Sequence, residues 1–196
     1  MNKTGIIILA AGNSSRLGRP KQLLLYQGKT LLSHVIDESL AASLHPVVVV
    51  TGAYHAEIQD SLQGHAVDLV YNKNWEKGMA SGIVAGLGGI LSLQPHLRAV
   101  IVAVCDQPYI SAELFRALVE THTVSGKGLI ACTFSETTGT PVLFDHRYFK
   151  ELSALTGDAG ARHLLKRYPD EVTTIAFPKG GIDIDTEEDF QRLPGI

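Results

Sequence analysis

Cysteine is scarce in this chain: 2 in 196 residues, Cys105 and Cys132, far apart and without CxxC spacing. That scarcity excludes a disulfide framework and argues against a thiolate zinc site. A basic excess is missing too, since 17 Lys and Arg stand against 20 Asp and Glu, for a net charge of -3. Nucleic-acid binding needs a cationic footprint, so no nucleic acid is expected as a partner. Long apolar runs are also lacking. The two strongest, Gly5–Ala11 and Ala99–Cys105, fall far short of the roughly 18 residues of a membrane helix, and no membrane is expected as a partner. The first run has the length of a signal-peptide core. Arg16, Arg19 and Lys21 follow Gly12, however, where a small-residue cleavage site would stand. What remains is 45% hydrophobic and 19% charged, with 19 glycines, the composition of an ordered globular chain. At this length one domain buries roughly 70% of its unfolded surface and needs no cross-links. The expectation is one cytoplasmic domain over residues 1–196.

Short apolar runs alternate with amphipathic ones, the pattern of an α/β fold with a mainly parallel sheet. Strands are expected at Gly5–Ala10, Pro46–Thr51, Val67–Tyr71 and Ala99–Cys105. Helices are expected from Thr30 to Ala42, Tyr54 to Leu62 and Gly78 to Leu93, the last loosened by Gly82, Gly86, Gly88 and Gly89. A helix capped by Ser111 follows, then a strand at Leu129–Thr133 and a turn at Glu136–Gly139 leading into Pro141–Phe144. That sequence predicts a small antiparallel excursion. Helices at Arg147–Leu152 and Gly160–Tyr168, and strands at Val172–Ala176 and Ile182–Ile184, come next. Thr186 with Asp189 three residues on opens a last helix through an Asp variant of the capping box.

The first strand hands over to Ala11-Gly12-Asn13-Ser14-Ser15-Arg16-Leu17-Gly18-Arg19-Pro20-Lys21-Gln22. Small residues let backbone N–H groups approach a phosphate, and Arg16, Arg19 and Lys21 would neutralise it. Ligands of open α/β sheets bind outside the carboxyl ends of strands, where this loop emerges. It is neither a GxGxxG fingerprint nor a P-loop, because position 23, where Gly28-Lys29-Thr30 would require a glycine, is Leu23. Gly28-Lys29-Thr30 reads as a turn and a helix cap. Taken alone, the loop is equally compatible with a flexible connection carrying solvated cations.

The whole string resembles the LAAGxSxRMGxxK signature of the molybdopterin nucleotidyltransferases, with Leu17 in place of Met. The resemblance continues in order through Gly78–Leu87 (GMSSSLRAGL-like), Cys105-Asp106-Gln107-Pro108 (DQP), Gly157–Arg162 (GDxGAR) and Asp185–Asp189 (DTPED-like, with Glu187 for Pro). Together these matches cover nearly the whole chain and resemble the molybdenum cofactor cytidylyltransferase group. That resemblance implies a single-domain, Rossmann-like, glycosyltransferase-A-type sheet with its site above the strand ends. It implies transfer of CMP from CTP to the terminal phosphate of molybdopterin. It implies nucleotide contacts from Leu9, Ala10, Ala11, Gly12, Ser14, Ser15 and Ser81, with Arg16, Lys21 and Asp106 as catalytic groups. On the acceptor side it implies Thr140, Asp158 and Arg162, although Thr140 stands where the family usually has His. A related branch contains accessory proteins of purine and nicotine hydroxylases, so a non-catalytic protein delivering cofactor to a molybdenum hydroxylase is the alternative. Another is cytidylyl or guanylyl transfer to a different small phosphate. The enzyme that cytidylates methylerythritol phosphate ranks lower, because its HDAARP element is absent here.

Asp106 ends the strongest strand, and Asp183 and Asp185 stand two residues apart on the last expected one, hence on one face. Nucleotide chemistry commonly uses Mg²⁺ held by one or two carboxylates together with phosphate oxygens. The family pattern pairs Asp106 with Asp185 for Mg²⁺, with Mn²⁺ as an alternative. By itself Asp185 also reads as part of a helix-start cluster. Trp75 and Tyr71 are expected in the core, with the lining of a pterin pocket as the alternative.

Overall fold

The computed structural model describes residues 4–157 and 160–194. Its elements run β1 (Thr4–Ala10), β2 (Leu25–Tyr26), β3 (Lys29–Thr30), α1 (Leu31–Ala41), β4 (Val47–Thr51), α2 (His55–Ser61), β5 (Asp68–Tyr71), α3 (Met79–Leu93) and β6 (Ala99–Val104). They continue with α4 (Ala112–Ser125), β7 (Leu129–Phe134), β8 (Thr137–Asp145), α5 (Phe149–Ser153), α6 (Ala161–Arg167), β9 (Val172–Ala176) and α7 (Glu187–Gln191).

Seven strands form one sheet in the order β5-β4-β1-β6-β8-β7-β9. The runs Ile6-Ile7-Ile8 and Val100–Ala103 are fully buried, as strands covered on both faces must be. Strands β4, β1 and β6 are mutually parallel, whereas β8 runs antiparallel to β6 and β7. Alternate residues feed two cores. One packs Ile6 and Ile8 against Leu32, Ile36, Ile58 and Phe115 of α1, α2 and α4. The other packs Ile7 and Val50 against Ile83, Leu87 and Ile90 of α3, with Leu152 and Leu164 beyond. After β1 the chain fills β4 and β5 on one side and then returns to β6 on the other. The crevice between β1 and β6 is thus a topological switch point, where α/β sheets bind ligands.

Several expectations need correction. The glycines of α3 do not loosen it: a Cβ at Gly86 would stand 2.4 Å from Ile7 Cγ2, and one at Gly89 2.4 Å from Val70 Cγ2. They bring the helix close to the sheet. The expected turn at Glu136–Gly139 is tighter. Ser135 and Glu136 alone make it, both at positive φ (45° and 61°), as a two-residue hairpin loop of matching twist requires. Strand β8 therefore already begins at Thr137. Ile182–Ile184 is not a strand. This segment instead crosses the end of β6, where Ile184 N–H donates to the Asp106 carbonyl at 3.1 Å. A small hairpin, β2–β3, precedes α1, turning at Gln27 and Gly28 with φ of 51° and 80°. Thr30 caps α1 as expected, accepting from Ser33 N–H at 3.0 Å.

Candidate active site

The loop after β1 is held in place. Gln22 Nε2 donates to the carbonyls of Ala10 and Gly12, each at 2.9 Å, from a side chain that is buried. Tyr54, next to the end of β4, donates its hydroxyl to Asn13 O at 2.9 Å. Ser14 sits at φ 50°; its carbonyl accepts from Leu17 and Gly18 N–H, and its Oγ accepts from Lys21 N–H at 3.1 Å. These bonds favour the built loop over a flexible connection.

They also aim Lys21. Its ammonium donates to Asp106 Oδ2 and, at 2.8 Å, to Asp185 Oδ1, while Arg16 takes Asp185 Oδ2 at 2.6 Å. Burial works against the Lys21 charge, but Asp106 and Asp185 outweigh it and raise the pKa above the ordinary lysine value. Burial likewise opposes ionisation of Asp185; Lys21 and Arg16 prevail and hold its carboxyl below the usual range. Asp183 has the opposite fate. Burial first, then the charges of Asp106 and Asp185, push its carboxyl up to about 6. Arg19 leaves the cluster, pairing with Glu187 of α7 at 2.7 Å.

Beside this cluster opens a cavity of about 260 Å³. Leu9, Ala10, Ala11 and Gly12 line one side, Trp75, Gly78, Met79 and Gly82 face them, and Lys21 and Asp106 stand at its end. Residues 6–172 match the description MobA-like NTP transferase domain. The chain belongs to that family. It is therefore a nucleotidyltransferase of the MobA-like type. Among curated proteins, it is 32% identical over 197 residues to the nicotine blue oxidoreductase of Paenarthrobacter nicotinovorans, covering 95% of this chain and 94% of that one. Among solved structures it resembles Rv0371c from Mycobacterium tuberculosis H37Rv (TM-score 0.80, 27% identity, 98% and 97% of the two chains). It also resembles a complex of Rv0371c with manganese (TM-score 0.77, 25% identity, 97% of each chain).

In this MobA-like chain, hard oxygen donors suit a Mg²⁺- or Mn²⁺-type ion. Asp106 and Asp185 share the Lys21 ammonium, and Asp106 Oδ1 is buried with no partner among the described residues. Among those residues, no three His, Cys, Asp or Glu side chains form a self-sufficient metal cage. That fits an ion completed by substrate phosphates and water.

The remaining expected residues divide. Ser15 is exposed on the loop. Ser81 lies beside the cavity with its hydroxyl turned inward, donating to Asn74 and Gly78 carbonyls and accepting from Asn72 Nδ2 at 2.8 Å. It locks the turn that carries Trp75. Trp75 and Tyr71 are not core residues. Trp75 is half-buried in the cavity wall, and Tyr71 is exposed, its ring 4.7 Å from that of His55. Tyr71 ends β5, and Trp75 stands on the turn that follows it. On the acceptor side, Arg162 donates from Nε to the Thr138 carbonyl at 2.8 Å, and Thr140 is half-buried two residues on. Asp158 lies outside the described residues.

Sequence reasoning assigned no role to Gln107. Its side chain is buried, with Nε2 donating to Gly180 O at 2.6 Å and Thr140 O at 3.3 Å. It thus ties the Asp106 turn to β8 and to Gly180, ahead of the Asp183–Asp185 segment. Its place beside Asp106 in the DQP element was the available signal. Cys105 and Cys132 are buried, and burial raises both thiols, Cys132 to about 12. Neither is poised as a thiolate.

Proposed function

We propose that this protein transfers CMP from CTP to the terminal phosphate of molybdopterin, releasing pyrophosphate. The observation that carries the reading is the Lys21–Asp106–Asp185 cluster at the end of a cavity fronted by the Ala11–Gly12 backbone. That cavity is below the roughly 300–1,000 Å³ typical of whole small-molecule sites. It suits a pyrimidine base, leaving the triphosphate on the loop. There, Arg16 and Lys21 bind and orient the phosphates and offset the charge that develops on departing pyrophosphate. The acceptor is a phosphate monoester with a second pKa of roughly 6, mostly dianionic at neutral pH, so its attack needs no general base. A divalent ion held by Asp106 and Asp185 supplies Lewis-acid stabilisation when bound. The manganese complex of the Mycobacterium relative supports divalent-metal use here. Thr140 and Arg162, together with Asp158, would receive the acceptor.

Pyrophosphate release, measured with purified molybdopterin and each of the four nucleoside triphosphates, tests this. Release with CTP supports the reading. Release only with another phosphate acceptor would move the protein to a different cytidylyl or guanylyl transfer. The likeness to a protein named for an oxidoreductase, over 95% of this chain, favours one second reading. In it, nucleotide and cofactor bind without turnover, and the protein delivers cofactor to a redox partner such as a molybdenum hydroxylase. Tight CTP binding with no pyrophosphate release under any of these conditions would support it.

A further inference from the structure

Lys21 joins two carboxylates from distant parts of the chain, one on the turn after β6 and one just before α7. The Lys21 and Asp106 side chains are only 16% and 15% exposed. Asp183 adds a third carboxyl, near enough to feel the charges of both. Carboxylates gathered so closely repel one another unless a cation stands among them. Among the described residues that cation is the Lys21 ammonium, with Arg16 on the outer face of Asp185.

We infer that Lys21 is an internal counter-ion that competes with a divalent cation for Asp106 and Asp185, so that metal binding waits for the triphosphate. This rests on the metal-dependent reading of the site given above. A metal arriving alone must displace a largely buried ammonium from both carboxylates. Removing one partner of such a pair leaves an unpaired buried charge, which is strongly unfavourable. A triphosphate changes the balance. Its oxygens take over the ammonium through charge-assisted hydrogen bonds and add ligands that a hard divalent ion favours. Metal and nucleotide then tighten each other's binding by the same factor, because linkage is reciprocal.

The experiment is a titration of Mn²⁺ into the purified protein, with free Mn²⁺ followed by EPR, in the presence and absence of a non-transferable α,β-methylene analogue of CTP. In wild type, Mn²⁺ alone is expected to bind weakly, and about tenfold or more tightly with the analogue. Lys21→Met is expected to bind Mn²⁺ alone about tenfold or more tightly than wild type, with a smaller further gain from the analogue. Adding Asp106→Asn to that variant is expected to abolish the gain. Should Lys21→Met fail to melt cooperatively, Lys21→Gln carries the same measurement, since it keeps a polar head without the charge. Mn²⁺ affinity of the folded variant equal to or below that of wild type, with analogue-dependent binding intact in wild type, overturns the counter-ion role alone. Absence of Mn²⁺ binding to wild type even with the analogue overturns the metal-dependent reading and this inference with it.

Discussion

Leu9 and Val104 are direct partners where parallel strands β1 and β6 end. The loop bearing Lys21 and the turn bearing Asp106 therefore leave the sheet side by side.

Asp106→Ala should cost roughly 10²- to 10⁴-fold in pyrophosphate release, the scale of losing a Lewis-acid site. The fold should survive, because the bond that docks the Ile184 segment uses the Asp106 backbone carbonyl. Steady-state rates beside a thermal melt check both points. A cooperative melt with near-normal turnover removes Asp106 from the site.

Arg16 and Lys21 should differ in their response to salt. The Arg16 side chain is 67% exposed and that of Lys21 is 16% exposed. Screening acts on exposed charges, so Arg16→Ala should weaken CTP binding at low salt much more than at high salt. Lys21→Ala should weaken it at both. Calorimetric titrations at two ionic strengths distinguish them, and identical salt slopes would contradict the difference in burial.

Ala11 lines the cavity, and in the family this chain resembles, LAAG accompanies cytidylyl transfer where LAGG accompanies guanylyl transfer. Ala11→Gly should relax the preference for CTP over GTP. One methyl group is worth at most about 1–3 kcal/mol, or 10- to 200-fold. The ratio of kcat/KM values for the two nucleotides, wild type against variant, measures it. An unchanged ratio clears Ala11 of the role.

Asp183 should make stability fall as pH rises. Burial and the neighbouring carboxylates lift its pKa to about 6, above the ordinary aspartate value of 3.8. Its stabilising contribution is therefore fully present below 3.8 and is lost as pH climbs through 6, where a buried carboxylate must ionise beside Asp106 and Asp185. Asp183→Asn should raise Tm at pH 8, with the gain gone by pH 4. A difference independent of pH would show that the carboxyl does not titrate in this window.

Thr186→Ala should remove a complete capping box, in which Thr186 Oγ1 accepts from Asp189 N–H at 3.2 Å and Asp189 Oδ2 accepts from Thr186 N–H at 2.9 Å. Loss of such a cap costs about 1 kcal/mol, or roughly 2–4 °C in Tm for a chain of this size. Because Asp185 directly precedes the cap, affinity for CTP should weaken as well. A melt and a titration on the same sample read both effects.

Local patterns determined much of this molecule. The run Gly5–Ala10 is apolar at every position, so it has to be buried on both faces, and it is a central strand. Thr30, Ser111 and Thr186 each announced a helix because a cap acts over three residues, within reach of the chain itself. The loop from Gly12 to Lys21 was legible for the same reason, as small residues and cations at short spacing. Tertiary structure decided the rest. Ile182–Ile184 alternates like a strand, yet its Ile184 N–H goes to the Asp106 carbonyl, so it lies across the end of β6 and not on a sheet edge. Trp75 and Tyr71 are aromatic enough for a core, but Tyr71 ends the edge strand β5 and is exposed, while the turn that follows puts Trp75 in the cavity wall. Lys21 is separated from Asp185 by 164 positions, and no short-range rule links residues so far apart. Only the return of the chain to β6 beside β1, and the passage of the last segment over that switch point, bring their charges together, because electrostatic attraction acts through space.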